Sequence, residues 1–364
     1  MSVQLSYQPN VEAVLSRLRQ LYVDRSSQVV LATMAVPSQT LEQFAEEHES
    51  GMCAYPDPAR RIDFWDAMLA ERTAVEDDSI PNVYPSEMDQ GLYGALLGAE
   101  PRFLAAAETG WISSMVAPFL EDLSQVEGLS FSSDHPWQKR YVRQLQVFVE
   151  GARGKFGVSH FILINGLNLI FELVGATQTY MELIERPDLV RRAIDLAHDL
   201  NVHVQQTFFE HVPLIAGGTC SFAGQWLPGR IITESVDPFH MTSVDYFEQW
   251  GRGVLERIYG EFDGGILHLH GNGRHLLEAV SSVHGLKALY LGDDHGYAQA
   301  FDVLRELRTR AGDLPLIVNV PCPQFTDTLA QHRLVGGVLY AVSDAPDFAA
   351  AHRTMEQVRR YEAD

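Results

Sequence analysis

From Gly157 to the C-terminus, short apolar runs alternate with amphipathic helical stretches, and this rhythm restricts the possible folds more than any other feature. Strands are expected at residues 158–165, 212–216, 265–270, 287–291, 316–320 and 337–342. Helices are expected between them, as at 187–198, with Pro187 in its first turn, and at 244–259, with Ser243 as its cap. Strand–helix–strand order specifies parallel pairing, because a parallel neighbour is reached only through a long crossover. Two earlier segments complete a set of eight: 29–36, read as a strand or a buried helix, and 113–118, a short strand ending at Pro118. The expected fold is α/β, a (β/α)8 TIM barrel with an N-terminal elaboration.

A chain of 364 residues suits one such barrel with insertions, so residues 1–364 are expected to form a single domain. Helical spacing at 11–21 opens the chain. Residues 1–110 are its least regular part, interrupted by Pro56, Pro58, Pro81 and Pro85, and are expected to be a cap over a barrel at 111–364. No internal repeat or linker interrupts the pattern.

The formal charge of -21 disfavours nucleic acid as a partner, because phosphate backbones are held by clustered Lys and Arg. No apolar run approaches the roughly 20 residues needed to span a bilayer, and no basic-then-apolar leader opens the chain, so the expected location is cytoplasmic. Cys53, Cys220 and Cys322 are odd in number and far apart, which fits reduced thiols better than a disulfide framework.

The stretch Gly264-Gly-Ile-Leu-His-Leu-His-Gly-Asn-Gly273 concentrates the chemistry. Alternation along a strand places Ile266, His268 and His270 on one face and Leu267 and Leu269 on the other. Helical spacing resumes at Arg274, so both imidazoles stand at the carboxyl end of a strand, where parallel α/β folds place their sites. Cys220, after another expected strand, is placed at the same mouth, and Asn165, Asn168 and Asn272 lie at strand ends where amides orient a small-molecule substrate.

The segment Lys155-Phe-Gly-Val-Ser-His-Phe-Ile-Leu-Ile-Asn165, then Leu173-Val-Gly175 and Glu185-Arg-Pro-Asp-Leu189, resembles the uroporphyrinogen decarboxylase superfamily. The order Val244-Asp-Tyr-Phe247 to Gly264–Gly273 is similar to its helix followed by a strand ending in His-x-Cys. The arginine-bearing N-terminal signature of the decarboxylase itself has no counterpart here. The resemblance is therefore closer to the zinc-dependent methyltransferases of the superfamily, which move a methyl group between a corrinoid and a thiol. It implies zinc held by His268 and by His270 in the cysteine's place, an acidic residue at Asp293 or Asp294, and a corrinoid on a partner protein. The family's final cysteine matches no cysteine, since Ser343 and Asp344 stand there. Cys322, one strand earlier, is the substitute ligand.

Zinc accepts imidazole, carboxylate and thiolate, and three protein ligands leave one position for substrate. The same residues have plainer roles: a His-x-His hydrogen-bonded in a polar barrel mouth, Asp293 and Asp294 as helix caps, Cys322 as a packed small hydrophobe, and Gly271-Asn-Gly273 as a tight turn. Two other functions are weighed. A metal-free decarboxylase or lyase would direct arginines, Arg153 and Arg274 first, at a substrate carboxylate. A non-catalytic binding protein would keep the fold without turnover.

Overall fold

The computed structural model describes residues 4–363. Its strands, in chain order, are β1 (Val30–Met34), β2 (Gly51–Cys53), β3 (Asn82–Val83), β4 (Arg102–Ala106), β5 (Trp111–Met115), β6 (Gly157–Val158), β7 (Gly218–Ser221), β8 (Gln225–Pro228), β9 (Ile232–Ser235), β10 (Gly265–Leu269), β11 (Leu286–Leu291), β12 (Leu316–Pro321) and β13 (Val338–Ser343). Six of them form a parallel sheet in the order β1-β13-β12-β11-β10-β9. Helices fill the crossovers, as Leu304–Ala311 does between β11 and β12.

Two apolar layers hold this sheet. Leu31, Ile266, Ala288, Ile317 and Leu339 point to one side and pack with Trp226, Leu227 and the opening helix Val11–Tyr22. That helix presents Val11, Val14, Leu15, Leu18 and Leu21 at three- and four-residue spacing, so one stripe is buried. Val30, Leu267, Leu269, Leu289, Val318 and Val338 point to the other side, under the crossover helices. The alternation expected of Ile266 against Leu267 and Leu269 is therefore the observed one.

Continuous pairing stops at six strands, so the expected closed ring of eight is not formed by an unbroken ladder. Beyond β9, pairing is piecemeal. Ile162 bridges Thr233 and His160 bridges Ser221, while β6 pairs in parallel with β3. On the outer edge of β1, side chains replace a neighbouring strand: Asp78 Oδ2 accepts from Ala32 N–H at 2.9 Å and Asp77 Oδ2 from Met34 N–H at 2.8 Å. Arg17 meets Asp78 at 2.6 Å and Arg72 meets Asp77 at 2.7 Å, so each carboxylate is neutralised where it is buried. Charge-assisted bonds of this kind satisfy edge amides that would otherwise be stranded.

Several expected elements are corrected. Residues 212–216 are not a strand: the helix beginning at Pro187 runs to His211, and a turn with positive φ at Ala216 and Gly217 leads into β7, antiparallel to β8. The strand of the parallel sheet in this region is β9, Ile-Thr-Glu-Ser, whose polar centre hid it. Residues 158–165 form no continuous strand: Val158 closes the two-residue β6, and His160 and Ile162 make isolated bridges. Residues 113–118 overlap β5, which belongs to the antiparallel sheet β2-β4-β5. The helix expected at 244–259 breaks at Gly251 into Val244–Trp250 and Arg252–Glu261, and Ser243 makes no side-chain cap. Within 1–110, β1 is an integral strand of the parallel sheet. Among the described residues, no helix is long and apolar enough to cross a membrane.

Candidate active site

The carboxyl ends of β9, β10 and β11 lie side by side, with Ser235 opposite His268 and His268 opposite Tyr290 in register. His268 points inward, stacked on Tyr290 with ring centroids 4.8 Å apart, and Tyr290 Oη accepts from Asn319 Nδ2 at 3.2 Å. A Cβ on Gly292 would lie 2.6 Å from His268 Nε2, so any other residue after β11 would displace the imidazole. Burial, reinforced by the nearby His270, keeps the His268 pKa well below the ordinary imidazole value.

His270 sits just past the end of β10, its ring centroid 4.3 Å from that of His268. Its Nδ1 lies 2.9 Å from Asp294 Oδ1, and the other Asp294 oxygen accepts from Asn272 N–H at 3.1 Å. Burial pushes the Asp294 pKa up, but hydrogen bonds from Asn272 and His270 outweigh it and leave the carboxyl below its ordinary range. A carboxylate on Nδ1 fixes the tautomer with its proton there, which leaves the Nε2 lone pair free.

Two further residues were missed in the sequence. Asp237 and His240 follow β9 in a short helical turn, and Asp237 Oδ1 lies 3.8 Å from both His240 Nε2 and His270 Nε2. The His240 ring is 5.4 Å from that of His270, and burial holds its pKa low. The Gly271-Asn-Gly273 turn has a specific use here, since a Cβ on Gly273 would strike the His240 ring. The signal was the pair of residues itself, Asp-x-x-His, overlooked because β9 had not been recognised.

His240 Nε2, Asn272 Oδ1 and Arg274 Nε are all buried without a hydrogen-bond partner. Buried polar atoms are nearly always paired, so three unpaired ones around a single strand end mark a place where a polar ligand completes the bonding.

The other expected site residues are differently employed. Asp293 Oδ1 accepts from Ala300 N–H at 2.6 Å and from Arg274 Nη2 at 3.3 Å, holding the loop after β11. Asn165 donates to Glu234 Oε1 at 3.0 Å, and Asn168 to the Ser235 carbonyl at 3.3 Å, tying residues 165–168 to β9. Glu234, also missed, is buried, and its pKa is raised to about 8 because burial outweighs the bonds from Asn165 and Ser235. Cys220 packs inside the inner layer beside Trp226, where burial drives its thiol pKa up to about 12. Cys322 begins the helix after β12 and belongs to the outer layer with Phe325, whereas Ile317, on β12, faces the inner layer. Among the described residues, no three His, Cys, Asp or Glu side chains are grouped to hold a metal ion. Arg153 pairs with Glu150 at the surface, and Arg274 is engaged by Asp293 and backbone carbonyls, so these two do not converge on a substrate carboxylate.

No family model and no curated protein matches the sequence. Among solved structures, a methyltransferase from Methanosarcina mazei is similar over 95% of this chain and 98% of its own, with a TM-score of 0.61 and 14% identity. The chain shares the fold of that structure. A B12-independent methionine synthase from Shewanella sp. W3-18-1, in complex with selenomethionine, aligns over 92% of this chain and 98% of its own at 10% identity, with a TM-score of 0.47.

Proposed function

We propose that this protein is a methyltransferase that moves a methyl group between a corrinoid carried by a partner protein and a thiol or other small acceptor at the ends of β9, β10 and β11. The reading rests on one observation: His270 is oriented at Nδ1 by Asp294, with its Nε2 3.8 Å from Asp237 Oδ1, amid three unpaired buried polar atoms. The fold shared with a methyltransferase is consistent with it, although fold by itself assigns no chemistry.

Transfer to a thiol, amine or hydroxyl requires the acceptor to lose a proton as the new bond to carbon forms. His270 Nε2 takes that proton, and Asp294 stabilises the imidazolium that results and keeps its ring in line. Neutral His240, with Asn272 Oδ1, orients the acceptor through the bonds they lack within the protein. His268 stays neutral and packs the floor of the site against Tyr290. The corrinoid, when its carrier docks, supplies the electrophilic methyl group.

The zinc implied by the resemblance does not fit the set His268, His270 and Cys322, because Cys322 belongs to the outer layer and His268 is stacked on Tyr290. No step is assigned to it. The proposal is tested by following the visible spectrum of methylcobalamin with purified protein and a panel of small thiols. Protein-dependent demethylation with a methylated thiol product supports it, and a rate equal to buffer with every acceptor refutes it.

A further inference from the structure

A cavity of about 660 Å³ lies between the helices Gln39–Glu47 and Pro58–Glu71, and none of the strand-end residues of the candidate site lines it. Its size falls in the range of small-molecule sites. Phe44, Tyr55, Phe64 and Ile112 give it an apolar, largely aromatic wall, and Arg60 and Arg61 bring two guanidinium groups to it. Ile112 on β5 lines the cavity, while its neighbour Trp111 packs on Tyr84, ring centroids 4.8 Å apart.

The two arginines are unequally committed. Arg61 is 3% exposed; its Nε donates to Glu87 and its Nη2 to the Gly110 carbonyl at 2.7 Å, while Nη1 has no acceptor among the described residues. Phe44, Phe64 and Trp65 lie 4.9–5.5 Å from its guanidinium and hold it in place. Glu87 is buried and receives a second bond from Gln144 at 2.7 Å, so the Arg61 charge is already balanced. Arg60, one residue earlier, donates its backbone N–H to Asp57 Oδ1 at 3.3 Å, and its side chain makes no ion pair or hydrogen bond among the described residues. Of the acids at the cavity, Asp57 is occupied in capping the helix through Ala59 N–H at 2.8 Å, and Glu47 is on the exposed side of its helix. The cavity thus offers one arginine outside any ion pair, a second held in place with one N–H group to spare, and an aromatic wall, with Glu47 and Asp57 as its two carboxylates.

We infer that this cavity binds a small aromatic acid carrying a single negative charge, its carboxylate on Arg60 and on Arg61 Nη1 and its ring against Tyr55 and Phe64. A planar carboxylate matches the guanidinium fork. The aromatic wall adds apolar burial and ring contacts that a bare inorganic anion would leave unused. This site is independent of the proposed methyl transfer.

The test is a titration of the full-length protein with 2-naphthoate by isothermal calorimetry, alongside neutral 2-naphthalenemethanol. Saturable one-to-one binding of the acid is expected, with affinity at least about tenfold below wild type in Arg60→Ala and still lower in Arg60→Glu. Arg60 is exposed, so both variants are expected to fold. His270→Ala should bind 2-naphthoate as wild type does. Absence of saturable binding, equal affinity for the alcohol, unchanged affinity in Arg60→Ala, or loss of binding in His270→Ala would each overturn the assignment.

Discussion

From β9 to β13 the sheet is held by strand-to-strand backbone pairing, whereas from β1 across residues 77–165 the corresponding work is shared among carboxylates, isolated bridges and a two-residue ladder. The difference follows from sequence. Runs such as Leu316-Ile-Val-Asn-Val320 have enough β-branched and apolar residues to bury both faces of a strand, while Asp77-Asp-Ser-Ile-Pro81 does not. The lesson concerns placement. The unpaired polar atoms of the candidate site lie at the ends of the continuous half, where neighbouring strands fix the positions of His268 and His270. The discontinuous half spends its charged groups on closing edges.

If side-chain carboxylates finish the β1 edge, removing one should be costly. Asp78→Ala leaves Ala32 N–H and Arg17 without their partner and is expected to cost about 3–5 kcal/mol in urea unfolding with an unchanged m-value. A loss below about 1 kcal/mol would mean that the edge is not held this way. Asp294→Asn acts on the other half: turnover should fall about a hundredfold or more with little change in stability, and comparable losses of both would make Asp294 a structural residue.

The halves also predict opposite pH responses. His160, buried against Thr233, is pushed down to about 4, while an unfolded histidine titrates near 6.5. The unfolded chain takes up that proton first, so this contribution to stability is present above about pH 6.5 and is lost as pH falls toward 4. Glu234 runs the other way: raised to about 8, it is protonated when folded and ionised when unfolded, so stability falls as pH rises toward 8. Glu234→Gln should flatten the fall in melting temperature that Glu234 contributes between about pH 4.5 and 8 and leave the His160 loss below about pH 6.5 in place. An unchanged slope between about pH 6.5 and 8, where Glu234 alone of the two contributes, would contradict the assignment. The smallest effect is expected from Cys322→Ser, which should leave turnover and metal content by elemental analysis unchanged. A loss of bound metal would return Cys322 to the site.

The parallel sheet and the inward pair His268 and His270 were legible because both follow from period-two alternation in strongly apolar runs. β9 was not, since Thr233 and Glu234 make it read as polar, and with it went Asp237, His240 and Glu234. Cys322 was assigned to the site from its nearness to a strand end, but the start of the next helix turns it to the outer layer. The Asp77 and Asp78 edge is a long-range pairing with β1 that no local pattern announces.

The measurement closest to the central claim is the rate of thiol methylation from methylcobalamin by His270→Gln relative to wild type, at saturating acceptor and with the variant's fold verified by circular dichroism. The account predicts a loss of about 10²–10⁴-fold, the range for removing a positioned general base. A His270→Gln rate within a few-fold of wild type would contradict it.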